Sequence, residues 1–435
     1  MNSYIPFTEQ MKNEYTILIP TMLPMHFRMI ISVLKTYGYN IELLEESGPH
    51  IAETGLKYVH NDTCYPAILV IGQFINALNS GKYDPHKTAL MLFQTGGGCR
   101  ASNYISLLRK ALKNAGLDYI PVISFSFMGI ERHPGFKMSI PKLHRMLYGI
   151  LYADLLMSLV NQCRPYEINS GQAQILAERW VKRLSKEMGE GGSRLSYRKI
   201  KQNYKAMVED FAGIPMAERP AVRVGVVGEI FVKYSPLGNN NLEQFLVDEG
   251  AQVTVPGLTD FLLYCVYNNI NDYRVYKRGS ALRCAVIKLA FNFLSKKKND
   301  VSDVMIRNGR FEPFSRFEDT IRLSEGYIGK GAKMGEGWLL TAEMLELAEA
   351  GIKNIVCTQP FGCLPNHICG KGMMRIIKER NPDVNIVAID YDAGATQVNQ
   401  INRLKLMLAN AQPPSGVGRK SVAAAESIED KQEAG

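Results

Sequence analysis

Three cysteines of this 435-residue chain share one kind of setting: Cys64 in HNDTCYP, Cys99 in QTGGGCRASNY and Cys363 in QPFGCLPNH. Each opens a predicted helix, and the second and third directly follow a predicted strand and a glycine. Unpaired N–H groups and the positive end of the helix dipole favour a thiolate there and lower its pKa. Soft thiolate ligands select zinc or an iron–sulfur cluster over magnesium or calcium. Three thiolates leave one iron of a cubane without a protein ligand, an open position for a substrate oxygen, a water or a bridging sulfide. Gly96, Gly97 and Gly98 are expected to bring backbone N–H groups up to inorganic sulfide, one lever on cluster potential. The spacing forms no compact CxxC signature, so buried structural thiols stay the competing reading.

The other polar candidates are weaker. In Cys357-x5-Cys363-x5-Cys369 the first cysteine ends a predicted buried strand and reads as core, while Cys369 is a reserve ligand. Cys163, Cys265 and Cys284 lie on apolar helical stretches and also read as core. Glu229, in VVGEIF, follows a buried strand; burial in the crevice would raise its pKa and make it a proton donor, and a plain N-cap or surface role competes with that. His60 and His367 flank the cysteine loops, suited to supply a proton or a fourth ligand, or to serve as hydrogen-bonded structural residues. The stretch Gly329 to Gly337, GKGAKMGEG, looks like an anion-holding loop, yet it lacks the GxxxxGK[ST] spacing of a P-loop, and ATP binding is not assigned to this chain.

These residues need a scaffold that gathers distant loops. From Tyr15 to about Ser126 apolar runs (TILIPT, NIELLEE, TALMLF, IPVISF) alternate with helical stretches at Met25–Tyr37, Tyr65–Leu78 and Ser102–Ala115. A helical region follows from Ser139 to about Phe211, broken at Glu190-Gly191-Gly192. The alternation then restarts: VRVGVVGEI, a helix over Asn241–Glu249, AQVTVPG, IKNIVCT, a helix around Lys371–Glu379, and VNIVAID. The pattern predicts an α/β protein with two doubly wound, mostly parallel sheets: residues 1–138 carrying Cys64 and Cys99, a helical connector 139–220, a second α/β domain 221–410 carrying Cys363, and a disordered tail 411–435 rich in small and polar residues. Ligands of such sheets collect beyond the carboxyl ends of the strands, so all three cysteines are expected in one crevice between the domains.

Composition narrows the class. With 46% hydrophobic and 21% charged residues the chain reads as globular. Glu9 and Glu14 interrupt the start where a signal peptide needs an apolar run, and Asp154 interrupts the most apolar stretch, Met146–Val160, so the expectation is a cytoplasmic protein with a buried helix and no membrane span. Eight cysteines are then metal ligands, nucleophiles or core rather than a disulfide framework. The net charge of +9 favours acidic cofactors or partners, but Lys and Arg read as spread over helical faces, with Lys296-Lys297-Lys298 the one run, read as a solvated helix end; nucleic acid is not expected.

The stretches NDTCYPAILVIGQ, GGGCRASNYISLLRKAL, VGVVGEIFVKYSPLGNNNLEQFLVDEGA and QPFGCLPNHICGKGMMRIIKERNPDVNIVAIDYDAGATQVNQINRLKLML resemble the 2-hydroxyacyl-CoA dehydratase and acyl-CoA dehydratase activase-related family, which includes the double-cubane cluster proteins. The resemblance spans nearly all of the chain except the tail. It implies two flavodoxin-like domains holding an oxygen-sensitive 4Fe-4S or double-cubane iron–sulfur cluster, with Cys64, Cys99 and Cys363 as ligands. It also implies reduction by a separate activase ATPase carrying its own cluster, because the ATPase modules are absent here. Relatives either dehydrate a 2-hydroxyacyl-CoA by a transient one-electron reduction or reduce small molecules; homodimer and heterodimer both stay open. A different class of reading is a non-catalytic, zinc-stabilised binding or scaffold protein whose site is closed by His60 or His367.

Overall fold

The computed structural model describes residues 4–94, 98–125, 131, 133–189 and 195–411. The expected tail beyond Ala411 and the break at Glu190–Gly192 lie outside them. Among the described residues eight strands form two four-stranded parallel sheets. The first holds β1 (Thr16–Pro20), β2 (Asn40–Leu44), β3 (Thr88–Phe93) and β4 (Val122–Phe125) in the order β2-β1-β3-β4. The second holds β5 (Arg223–Gly228), β6 (Gln252–Thr254), β7 (Asn354–Pro360) and β8 (Asn385–Tyr391) in the order β6-β5-β7-β8. Their apolar runs are continuous because helices cover both faces of a parallel sheet: Thr88–Leu92 of β3 and Ile355–Pro360 of β7 are buried throughout.

Both sheets have the flavodoxin-like order, in which the chain reverses direction across the sheet between the first and third strands. Two switch points result, between β1 and β3 and between β5 and β7. Cys99 follows β3, Glu229 follows β5 and Cys363 follows β7, so chain order alone puts these three at the switch points.

The expected helices form within a few residues of their limits: Pro24–Thr36, Tyr65–Asn79, Tyr104–Asn114, Leu242–Asp248 and Met374–Arg380. The connector is three helices, Ile140–Cys163, Gln172–Gly189 and Tyr197–Ala212. The first of them packs on Pro24–Thr36 and also against β6, and one continuous apolar core runs from the first sheet through it into β5 and β6. By length and composition Ile140–Tyr166 passes as a membrane span, but 72% of its apolar window is buried inside the fold.

Asp154 explains how a carboxylate sits in that helix. Its oxygens accept from His26 Nε2 at 2.8 Å, Leu258 N at 2.8 Å, Thr259 N at 2.9 Å and Thr259 Oγ1 at 2.5 Å. It therefore caps the helix Leu258–Tyr276 from outside, tying both sheets' helices to the connector. A Cβ on Gly257, the residue before that helix, would lie 2.8 Å from Asp154 Cγ, so the close approach requires glycine. Burial pushes the carboxyl's pKa up, yet the bonds from His26 and Thr259 outweigh it and hold the group below its usual range.

Between β6 and β7 the chain makes a helical excursion through Leu258–Tyr276, Ala281–Asn308, Phe317–Leu323 and Trp338–Glu349. Its anchor is Trp338, fully buried among Tyr264, Tyr267 and Phe317, with its indole N–H given to Asn268 Oδ1 at 2.9 Å. Burying about 200 Å² at ~25 cal/mol/Å² contributes roughly 5 kcal/mol to seating this segment.

Three sequence expectations fail in this region. Cys265 is exposed and Cys284 only half-buried, so neither is core: the apolar stretches that carry them lie on a helical hairpin that reaches into solvent. The lysine run is not a solvated helix end either. It falls inside Ala281–Asn308, where Lys298 is buried against Asp260 and Lys297 lies over the Tyr197 ring at 3.3 Å.

Candidate functional site

Each of the three thiols starts a helical segment. Cys64 is the residue before the helix Tyr65–Asn79, and its carbonyl accepts from Ala67 N at 2.9 Å. Cys99 precedes the tight turn Arg100–Asn103 that leads into Tyr104–Asn114. Cys363 precedes the helical turn that begins at Leu364, its carbonyl accepting from His367 N at 3.0 Å.

Side chains lock these loops together. Arg100 donates to the Asp62 carbonyl at 2.5 Å, joining the Cys99 turn to the Cys64 loop. Ser102 Oγ donates to the Cys99 carbonyl at 2.7 Å; Gln94 donates through Nε2 to the Ser102 carbonyl at 2.5 Å and accepts at Oε1 from the Ser124 hydroxyl of β4 at 2.7 Å. Tyr104, buried, donates its hydroxyl to Cys64 Sγ at 3.3 Å.

The loop Gly329 to Gly337 bridges to the other sheet. Met334 Sδ accepts from Gly98 N at 2.9 Å. Gly335, at φ +56°, sits between two cysteine loops: a Cβ there would be 3.8 Å from Cys99 Sγ and 3.2 Å from Pro365 Cγ. The loop's lysines are taken by carboxylates, Lys333 by Asp272 and Lys330 by Glu325 at 3.4 Å, so they brace the loop rather than hold an anion, contrary to the reading from its sequence. The Gly98 N–H, expected to face inorganic sulfide, is given to the thioether instead; Gly96 and Gly97 lie outside the described residues.

Glu229 is buried and caps the short helix Ile230–Tyr234, accepting from Val232 N at 2.8 Å. Glu336 caps the same helix, accepting from Ile230 N at 2.8 Å, and is buried as well. Two buried carboxylates at one helix start cannot both ionise cheaply. Burial first, and then the charge of Glu336, push Glu229 up to about 8, which leaves it protonated at neutral pH. Glu229 is thus both of the things its sequence setting suggested, an N-cap and a buried acid. It lies within electrostatic reach of Cys64 and Cys363, and Cys64 is within reach of Cys99 and Cys363. Lys233, one turn on, is buried in an ion pair with Glu343 at 3.0 Å.

At Cys64 and Cys363 the helix start does not lower the thiol pKa. Burial is the larger effect: it pushes Cys64 up to about 12, helped by the Glu229 carboxylate, and pushes Cys363 further up, helped by Glu229 and Glu336. These thiols stay protonated until a metal displaces the proton, so metal uptake releases acid.

The remaining candidates take lesser places. Cys357 is buried in β7 and its thiol points to Asn366 Oδ1 at 3.7 Å. Cys369 is buried, and burial raises it to about 11. His60 is exposed and pairs with Asp62 at 3.2 Å, and His367 is exposed on its helical turn. No disulfide joins any of the eight cysteines. A solvent-open hollow of about 360 Å³ lies along Ala281–Asn308, between Asn292, Asp303 and Glu318, and none of the three cysteines lines it.

The donor set suits an iron–sulfur cluster: three thiols on three loops from two sheets, with a glycine where a side chain would fill the cradle. Among the described residues no three of His, Cys, Asp or Glu converge tightly enough for one bare ion. A cubane interposes its own sulfides, so its thiolates stand further apart than the ligands of a single ion. Sequence reasoning missed Tyr104, Gly335 and Glu336; the first lies five residues beyond Cys99 in the same motif, and the other two lie in the glycine-rich loop whose role was read differently. A comparison with protein-family models finds no match, and a comparison with curated proteins finds none either.

Proposed function

We propose that this chain is the iron–sulfur component of an ATP-dependent reductase or dehydratase system, accepting low-potential electrons from a separate activase ATPase and passing them to an acyl-CoA or small-molecule substrate. The observation that carries the reading is that Cys64 lies within electrostatic reach of both Cys99 and Cys363, with the buried acid Glu229 within reach of Cys64 and Cys363 and Gly335 between the Cys99 and Cys363 loops. The three thiolates would hold the cluster, which when bound supplies one-electron reduction at low potential. The chain's own residues do the rest. Tyr104 gives its hydroxyl proton to the Cys64 sulfur and so stabilises added negative charge beside it. Glu229, protonated at neutral pH, is placed to deliver a proton where negative charge develops. Burial first and the Glu336 charge second raise its pKa, and the loop that carries Glu336 covers the Cys99 side of the crevice.

A zinc-closed scaffold has less support, because its fourth ligand would be His60 or His367 and both are exposed. Anaerobic purification separates the readings. Brown protein with matching iron and acid-labile sulfide is expected, and colourless protein with one zinc per chain overturns the proposal. Cys99→Ala is expected to lose iron, whereas Cys284→Ala, on the half-exposed hairpin, retains it; equal iron in both rejects the ligand set.

A further inference from the structure

The helices Leu258–Tyr276 and Ala281–Asn308 form a hairpin whose outer half is exposed. Residues 273–299 contain eight Lys or Arg and no Asp or Glu. They hold eight of the chain's nine net positive charges: without them 43 basic residues face 42 acidic ones. Six of the eight are exposed, Arg274, Lys277, Arg278, Arg283, Lys288 and Lys296.

The same arm exposes an apolar seam. Leu282, Val286, Leu289 and Phe293 are 76%, 58%, 69% and 41% exposed. Their spacing of four, three and four residues is that of a coiled-coil seam, about 16 Å long at 1.5 Å per residue. The opposite side of the helix is already used: Cys284, Ile287, Phe291 and Leu294 pack with Leu263, Tyr267 and Ile270 of the neighbouring helix. The seam is therefore a second apolar face, narrower than the wide stripe by which a helix lies on a core or a bilayer, and edged by positive charge on both sides.

We propose that this arm is a docking surface for an acidic protein partner that presents an amphipathic helix with an apolar seam and carboxylates beside it. Charge decides the occupant. A second copy would set positive edge against positive edge, whereas an acidic helix pairs its Glu side chains with the arm's Lys and Arg as the apolar residues interlock. The arm also reaches the crevice: a Cβ on Gly331 would lie 2.5 Å from the Tyr276 hydroxyl, and Asp272 holds Lys333, both in the loop that covers Cys99. Tyr276 and Asp272 thus tie the arm to that loop, whether or not the cysteine loops hold a cluster.

The test uses the full chain and a fluorescent four-heptad peptide with Leu at a and d and Glu at e and g, whose own charges keep it from pairing with itself. Binding by anisotropy at low salt is expected, weakened at least tenfold in Val286→Asp/Leu289→Asp and in Arg283→Glu/Lys288→Glu, and weakened as salt shortens the Debye length from about 10 Å at 0.1 M to about 3 Å at 1 M. All four positions are exposed, and matching circular dichroism checks that the variants fold. The proposal is overturned if the peptide does not bind or binds wild type and variants alike. It is overturned as well if phosphatidylserine vesicles bind in a seam-dependent way while the peptide does not, or if sedimentation finds a seam-dependent dimer of this chain.

Discussion

Replacing Asp154 by Asn keeps the shape of a fully buried side chain and removes its charge. In the wild type that carboxylate satisfies four donors, two of them the backbone N–H groups that begin Leu258–Tyr276 and one the ring of His26. An amide retains one acceptor oxygen and turns an NH2 toward the rest, so at least one buried N–H loses its partner. A lost cap costs about 1 kcal/mol, a buried donor left unsatisfied about 1–3 kcal/mol, and a hydrogen bond to a charged acceptor contributes about 1.5–3 kcal/mol. The expectation for Asp154→Asn is thus a loss of about 3–5 kcal/mol in urea unfolding at pH 7, read from the midpoint at constant slope. Because the folded-state pKa lies below the usual value, this stabilisation is present above about pH 4, the ordinary Asp range, and is lost as pH falls through the folded pKa. Wild type and variant should therefore converge in acid. His26→Phe with Asp154→Asn should give a coupling of about 0.5–3 kcal/mol. A variant within 0.5 kcal/mol of wild type at pH 7, or strict additivity with His26→Phe, refutes the latch.

Three further outcomes test the site. Glu229 has a raised pKa in the fold, so its contribution to stability is fully present below about pH 4.5 and falls as pH rises toward 8; Glu229→Gln should flatten the stability profile over that window, and an unchanged slope contradicts the buried acid. Tyr104→Phe removes the hydroxyl 3.3 Å from Cys64 Sγ and should make a bound cluster harder to reduce, by roughly 40 mV if about 1 kcal/mol of one-electron stabilisation is lost; redox titration reads it, and an equal or higher potential rules the bond out as a lever. Gly335→Ala and Gly309→Ala both place a Cβ at positive φ and should each cost about 1–2 kcal/mol, but only the first meets the Cys99 and Pro365 loops, so only it should lower iron per chain. Equal iron in both would remove the cradle.

Much of the scaffold is legible in the chain read alone. The eight strands coincide with the apolar runs because a parallel sheet covered on both faces needs continuous Val, Ile and Leu, a signal local to five or six residues. The helix starts at Cys64 and Cys99 are local too, written in Pro66 and in the glycines before Cys99. Asp154 had been informative for a simpler reason, as a charge that interrupts a span.

What the tertiary structure alone decided is every feature whose partner lies far along the chain. Tyr104 meets Cys64 across 40 residues, Glu336 meets the helix after Glu229 across 106, and Asp154 meets the start of another helix across 104. The same cause misled the reading of Cys265, Cys284 and the lysine run. An apolar periodicity says that a helix has a face to cover, but not whether the chain itself covers it, so an exposed Cys265 and a buried Lys298 are not told apart in sequence until Asp260 is found beside the lysine. Periodicity and caps act within a turn or a strand and are written locally; burial, and the charge state it imposes on a thiol or a carboxylate, depends on whatever the rest of the chain brings alongside.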